Sequence, residues 1–143
     1  MNEYTFDSIS IGTHESFKVK ITDDMQKSFM NISGDVNPMH LNQRYAESNG
    51  FDDKLVYGML TASFYSTLVG VYLPGKYCLL HECDSSFTKP VYIGDELTVY
   101  GEVVDLHEGF KRVTIKAHIT NQDGKKVSKA KIIVGIIGDE KNG

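Results

Sequence analysis

The chain contains two cysteines, Cys78 and Cys83, too few for a framework of disulfide bonds. Cys83 alternates with His81 along a predicted strand, but no second pair of ligands at metal-binding spacing accompanies them, so we expect no metal. Basic residues are in deficit, since 15 Lys and Arg face 19 Asp and Glu and leave a formal net charge of −4. This charge balance argues against a nucleic-acid-binding protein, which usually shows basic clusters.

A membrane span is lacking as well. The uncharged stretch 55–75 contains four Ser or Thr residues and three tyrosines, and it ends in Pro74-Gly75. A bilayer span needs about 20 strongly apolar residues, so we interpret this stretch as a helix buried inside the fold. The first residues do not form the basic region and apolar core of a signal peptide. We therefore expect a cytoplasmic protein with no membrane partner.

What the sequence does contain is typical of one globular domain. Of its 143 residues, 41% are hydrophobic and 24% are charged. No repeat, linker or low-complexity segment divides the chain. A chain of this length buries about 70% of its unfolded surface on folding. We predict a single domain over residues 1–143.

Changes of hydrophobic period predict the first elements. Residues 17–21 alternate strictly, as a half-buried strand does. Thr22 can cap a helix that begins with two acidic residues and runs to about residue 33. Its inward residues are expected to be Met25, Phe29 and Ile32. A short helix is predicted for residues 42–48.

The second half predicts one central helix and a long sheet. Small residues recur every fourth position in the helix predicted for residues 58–73, where they form a ridge that permits close approach of another backbone: Gly58, Ala62, Ser66 and Gly70. Large apolar residues cover its other faces, so we expect a surrounded core helix. Alternating strands are predicted at 96–103, 112–120 and 127–137, with hairpins at Glu108-Gly109 and Asp123-Gly124. The fold class is therefore α+β, a single hot-dog domain with an antiparallel sheet wrapped around a long central helix.

The run from Ser33 to His40 carries the strongest chemical signal. Asp35 and His40 lie on the two sides of an Asn37-Pro38 bend, which a continuous helix cannot accommodate. The chain leaves the preceding helix, turns sharply and brings His40 back toward Asp35. A carboxylate and an imidazole that converge can hold a water and exchange protons with a substrate. The alternative is that Asp and Asn beside Pro are ordinary turn and cap residues.

Three segments carry a resemblance to a known family. The first is Phe29, then Ile-Ser-Gly-Asp-Val-Asn-Pro-Met-His at 32–40, then Ala46; the others are residues 55–63 and 90–95. On these motifs the chain resembles the MaoC-like proteins of the (R)-specific enoyl-CoA hydratase type, also called hydratase 2. It departs from them at Tyr57, where the family usually has His, and at Met39, which replaces a branched aliphatic residue.

The resemblance implies roles for individual residues. Asp35 and His40 are the catalytic pair, which activates a water for syn addition across the 2,3-double bond of a thioester or for the reverse elimination. We expect His40 to be the base toward the water and Asp35 to donate the proton to carbon, a division of roles that the sequence itself leaves open. The backbone N–H of Gly58 is expected to form the oxyanion hole, at the positive end of a helix. Asn37 orients the loop as a supporting residue.

Further residues are assigned more peripheral roles. Ser66 is expected to support the site through a hydrogen bond to Asp35, although packing of the small-residue ridge explains it equally well. Tyr57, Met59 and Phe64 are predicted to line the substrate pocket. No cofactor is expected beyond the coenzyme A, or the carrier-protein phosphopantetheine, that arrives as part of the substrate. The resemblance also implies a homodimer.

Three other functions remain open at this point. A 3-hydroxyacyl-carrier-protein dehydratase would use the same residues. A thioesterase is a weaker alternative, because its water must be aimed at the carbonyl carbon. A non-catalytic module that binds acyl thioesters belongs to another class, and Tyr57 keeps that alternative open.

Overall fold

A single antiparallel sheet forms the body of the fold in the computed structural model, which describes residues 1–138. The sheet has the strand order β1-β3-β4-β5-β2. Its strands are β1 (His14–Lys20), β2 (Cys78–Phe87), β3 (Glu96–His107), β4 (Arg112–Thr120) and β5 (Lys126–Ile136). The predicted strands agree with β1, β3, β4 and β5 to within a few residues at their ends. The predicted domain extends to residue 143, and residues 139–143 lie outside the described part of the chain.

Four α-helices precede most of the sheet in the sequence. They are α1 (Asp23–Ser33), α2 (Pro38–Leu41), α3 (Gln43–Ser48) and α4 (Gly58–Thr67). The chain continues from α4 as a π-helical turn over Leu68–Tyr72. Within the described residues, no helix has the length and apolar character needed to cross a membrane.

Local signals set the ends of α1. The Thr22 hydroxyl accepts the N–H of Met25 at 3.2 Å, and Gly34 ends the helix in the left-handed conformation at φ 72°. The predicted inward face is wrong at Ile32, which is 83% exposed. The side chain buried instead is Gln26, and Ile32 lies about 120° around the helix from it.

The Asn37-Pro38 bend is half loop and half helix. The Asn37 side chain accepts the N–H of Met39 at 2.9 Å, and Pro38 opens the short helix α2. Pro is favoured there because the first helical N–H has no partner within the helix. Asn42 caps α3 in the same way through the N–H of Tyr45. The predicted helix at 42–48 is confirmed, whereas the turn of helix at α2 was not predicted.

Helix α4 packs along the inner face of the sheet. Its buried residues are Leu60, Thr61 and Tyr65, and Leu68 and Val69 continue the contact in the π-helical turn. The central helix is confirmed, but within one chain it is not surrounded. Met59 is 65% exposed, and the ridge of small residues that includes Ser66 lies on this uncovered side or at its margin.

This helical segment approaches the sheet closely at Gly101 of β3. A Cβ atom at Gly101 would lie 2.7 Å from Cδ2 of Leu68 and 3.1 Å from Cγ2 of Ile115. Leu68 and Ile115 are both fully buried. A side chain at position 101 would displace these two core residues, so the packing here favours glycine.

Gly101→Ala should therefore lower the free energy of unfolding by about 1–3 kcal/mol, the usual cost of overpacking a core. Leu68→Val removes the atom that clashes and by itself costs about 0.5–1.5 kcal/mol. The double variant should lose clearly less than the sum of the two single losses. Urea denaturation of the four proteins measures this coupling, and strict additivity would show that the two residues do not compete for space.

Candidate active site

The backbone carbonyl of Leu55 orients the His40 ring. His40 Nδ1 lies 2.8 Å from the Leu55 oxygen. A carbonyl oxygen can only accept a hydrogen bond, so Nδ1 must carry the proton. In the neutral ring this leaves Nε2 unprotonated, as an acceptor. The arrangement prepares His40 to take a proton through Nε2.

Gln26 joins helix α1 to both sides of the site. Its side-chain N–H groups donate to the carbonyl oxygens of His40 at 3.1 Å and Leu55 at 3.0 Å. Its oxygen accepts the N–H of Tyr57 at 3.4 Å. The sequence analysis missed Gln26, which is 2% exposed. The available signal was a polar residue on the inward face of α1, where an apolar side chain is expected.

Tyr57 packs between the two predicted catalytic residues. Its hydroxyl donates to the backbone carbonyl of Asp35 at 2.5 Å. Its ring centroid lies 4.1 Å from that of His40 and 5.0 Å from that of Phe29. Burial, and then the negative charge of Asp35, raise the pKa of Tyr57 above its ordinary value. The phenol thus stays protonated at neutral pH and keeps its role as a donor.

The Asp35 carboxylate is exposed, and a backbone N–H of its own loop holds it in place. Its Oδ1 accepts the N–H of Asn37 at 3.1 Å, while the Asn37 side chain caps α2. Asn37 therefore shapes the loop as a turn and cap residue. Within the described residues no hydrogen bond joins the side chains of Asp35 and His40, and Tyr57 is the contact that links their positions. The catalytic pair remains a prediction.

A cavity of about 410 Å³ opens beside His40. Gly58, at the start of α4, lines it with Thr61, Thr88 and Lys89. The rest of the wall is apolar and consists of Phe51, Leu55, Val56, Phe87, Pro90, Val91 and Val127. The first N–H groups of a helix lack partners within the helix and lie at its positive end. An oxygen that gains negative charge in this cavity could therefore be stabilised at Gly58. A larger cavity of about 580 Å³, lined by residues such as Asp84, Lys116 and Lys131, contains none of the predicted site residues.

The remaining predicted site residues lie away from the cavity wall. Tyr57 is buried behind His40, Met59 is exposed, and Phe64 packs against the core. Ser66 is exposed, and no hydrogen bond connects it to Asp35 within the described chain. The supporting role of Ser66 and its packing role both stay predictions.

Tyr57→Phe should lower the free energy of unfolding by about 0.5–1.5 kcal/mol, because it removes the hydrogen bond to Asp35 and keeps the ring packing. The loss should be the same at pH 6 and pH 8, since the raised pKa keeps the phenol protonated at both. Tyr45→Phe is the matched control, because Tyr45 is exposed. Urea denaturation measures the loss, and hydrogen exchange should quicken at residues 34–39. Unchanged exchange would show that the hydroxyl does not hold the loop.

Comparison with known proteins identifies the family. The MaoC-like domain model matches residues 9–125. The chain is 39% identical over 97 residues to the (R)-specific enoyl-CoA hydratase of Aeromonas caviae, across 68% of this chain and 72% of that protein. It is 33% identical over 101 residues to the 3-hydroxybutyryl-CoA dehydratase of Methylorubrum extorquens, across 71% of this chain and 64% of that protein.

The solved structures agree with this assignment. The (R)-hydratase from A. caviae involved in PHA biosynthesis superposes with a TM-score of 0.86 at 32% identity, across 90% of this chain and 98% of that one. The likeness extends over the sheet and the central helix and confirms the hot-dog fold. The matched residues include the Asp35–His40 loop and the start of α4. The chain belongs to the MaoC-like domain family.

Proposed function

We propose that the chain is an (R)-specific enoyl-CoA hydratase, which adds water to the 2,3-double bond of an enoyl thioester or removes it from the 3-hydroxyacyl thioester. One observation carries the proposal: the Leu55 carbonyl holds His40 with Nε2 free as an acceptor, on the wall of the cavity where α4 begins. The names of the relatives support it, since they are a hydratase and a dehydratase of acyl-CoA.

The reaction follows from the roles of these groups. A water held between Asp35 and His40 gives a proton to His40 Nε2 while its oxygen bonds to C3 of the enoyl group. The double-bond electrons move toward the thioester oxygen, which becomes enolate-like and accepts the Gly58 N–H. The proposal requires Asp35 to enter the step protonated and to deliver that proton to C2 on the face from which the water came. The proton that His40 took from the water then returns to Asp35 and resets the pair. Both new bonds form on one face, which gives syn addition.

The proposal needs no cofactor other than the carrier that is part of the substrate. Coenzyme A is the proposed carrier, and a carrier-protein phosphopantetheine presents the same thioester to the same residues. Cys78 and Cys83 are free thiols, which suits the reducing cytoplasm in which we place the enzyme. Assays with crotonyl-CoA and with the crotonyl thioester of a carrier protein separate the two carriers through their kcat/KM values.

The first test follows the loss of conjugated enoyl-thioester absorbance as the chain converts crotonyl-CoA. We expect (R)-3-hydroxybutyryl-CoA as product. Asp35→Asn and His40→Ala should each lower kcat by about 10²–10⁴-fold, the range for removal of a general acid or base.

Matched controls are Asp105→Asn and His14→Ala, because both residues are exposed on the sheet and outside the cavity lining. They should retain wild-type kcat. Activity that survives in both Asp35→Asn and His40→Ala would refute the catalytic pair. An (S)-product would refute the proposed stereochemistry.

We further propose that the enzyme is a homodimer. Strand β2 is an edge of the sheet, and it exposes Leu79 and Leu80 together with one row of backbone groups. Uncovered edges of this kind invite pairing with another strand. Antiparallel pairing of β2 with its copy forms a closed two-fold dimer. The same two-fold axis brings the small-residue side of α4 toward the α4 of the second copy.

Sedimentation should therefore give the mass of two chains for the wild type. Leu80→Lys should shift the enzyme toward single chains, because it buries a charge in the proposed interface. Val104→Lys is the control, since Val104 is equally exposed on β3, away from this edge. A wild-type mass of one chain at micromolar concentration would contradict the dimer.

A further inference from the structure

Thr61 has a polar group for which the described residues provide no partner. The residue is 2% exposed, and its Oγ1 makes no hydrogen bond within the described part of the chain. Buried hydroxyls are nearly always hydrogen-bonded, so an unpartnered one needs an explanation. Its own backbone N–H is already donated to the Tyr57 carbonyl at 3.1 Å. The free group is therefore the side-chain hydroxyl alone.

The hydroxyl belongs to the wall of the cavity beside His40. Thr61 is the fourth residue of α4, and Gly58 is the first. Side chains in a helix lean toward its N-terminus, so residue 61 covers the turn that begins with residues 57 and 58. His40, Gly58 and Thr61 thus share one cavity. The nearby Thr88 hydroxyl already donates to the Lys126 carbonyl at 2.8 Å.

We propose that the Thr61 hydroxyl is a second hydrogen-bond donor to the thioester oxygen of the substrate, beside the Gly58 N–H. The inference rests on the proposed hydratase function. The hydroxyl keeps its proton throughout, because its role is to donate a hydrogen bond and not to transfer a proton. In the free enzyme the Thr61 hydroxyl has no partner among the described residues, and in the complex the thioester oxygen of the substrate would be its partner.

The proposal predicts which kinetic constant depends on Thr61. Negative charge on the thioester oxygen grows as water adds to C3, so a donor aimed at that oxygen contributes more in the transition state than in the ground state. Loss of the hydroxyl should lower kcat much more than it raises KM. It should not reduce folding stability, because the group removed has no partner in the free protein.

The central variant is Thr61→Val, which has nearly the same shape without the hydroxyl. With crotonyl-CoA we expect kcat to fall about 10²-fold, as for loss of one oxyanion donor, with KM changed less than about threefold. Tm should remain equal or rise. Thr61→Ser retains a hydroxyl and should recover most of kcat. Thr67→Val makes the same substitution farther along α4, outside the cavity lining, and should leave kcat unchanged.

Three results would overturn the inference. They are a Thr61→Val kcat within twofold of wild type, a loss confined to KM, and a Thr61→Ser variant as slow as Thr61→Val. A lowered Tm in Thr61→Val would make a structural role the explanation unless Thr61→Ser restored kcat without restoring Tm.

A second readout does not require turnover. Butyryl-CoA labelled with ¹³C at the carbonyl has neither a double bond nor a 3-hydroxyl and cannot react. Infrared difference spectra should show a lower carbonyl stretching frequency when it binds the wild type, and a smaller lowering in Thr61→Val. Equal frequencies in the two proteins, or no lowering in the wild type, would overturn the inference. If crotonyl-CoA is not hydrated at all, the proposed function fails, and the frequency difference still decides the role of Thr61.

Discussion

The peptide groups around Leu55 connect the two segments from which the site is built. The Leu55 carbonyl accepts hydrogen bonds from both the His40 ring and the Gln26 side chain. The Leu55 N–H donates to the Met39 carbonyl at 2.9 Å. The Asp35–His40 loop and the start of α4 therefore meet at one residue. The bond to the Leu55 carbonyl fixes Nδ1 as the protonated nitrogen of the His40 ring and leaves Nε2 as the acceptor. The proposed chemistry depends on this orientation.

Tyr57 gives this site its individual character within the family. The family residue expected at this position is His, and Tyr is larger and carries its polar group farther from the backbone. The phenol reaches the Asp35 carbonyl while the ring packs on His40 and Phe29. The substitution therefore adds a link between the two sides of the Asn37-Pro38 bend. It lies behind the cavity wall, so it acts on the positions of Asp35 and His40 more directly than on the space for an acyl chain.

Much of the fold was predictable because its signals are local. Thr22 and Gly34 bound α1, Asn42 caps α3, and strict alternation marks the strands. The errors arose where burial depends on distant neighbours. Ile32 has the spacing of a core residue yet points to solvent, since the side of α1 that packs inward is the one on which Gln26 contacts the backbone of His40, Leu55 and Tyr57. The exposed side of α4 was also not predicted. The apolar composition of the segment indicates a buried helix, but it does not indicate how many sides of that helix the rest of the chain covers.

By itself the sequence determined the bend at Pro38, the presence of Asp35 and His40 beside it, and the family to which the chain belongs. These features depend on backbone preferences and on residue order, which are properties of short segments. Only the tertiary structure decided which nitrogen of His40 is free, since the Leu55 carbonyl that selects it lies 15 residues away. Only the tertiary structure, too, shows that the Thr61 hydroxyl is buried with no hydrogen-bond partner among the described residues. Hydrogen bonds between distant segments exist only when packing brings their groups within about 3 Å, which no local pattern encodes.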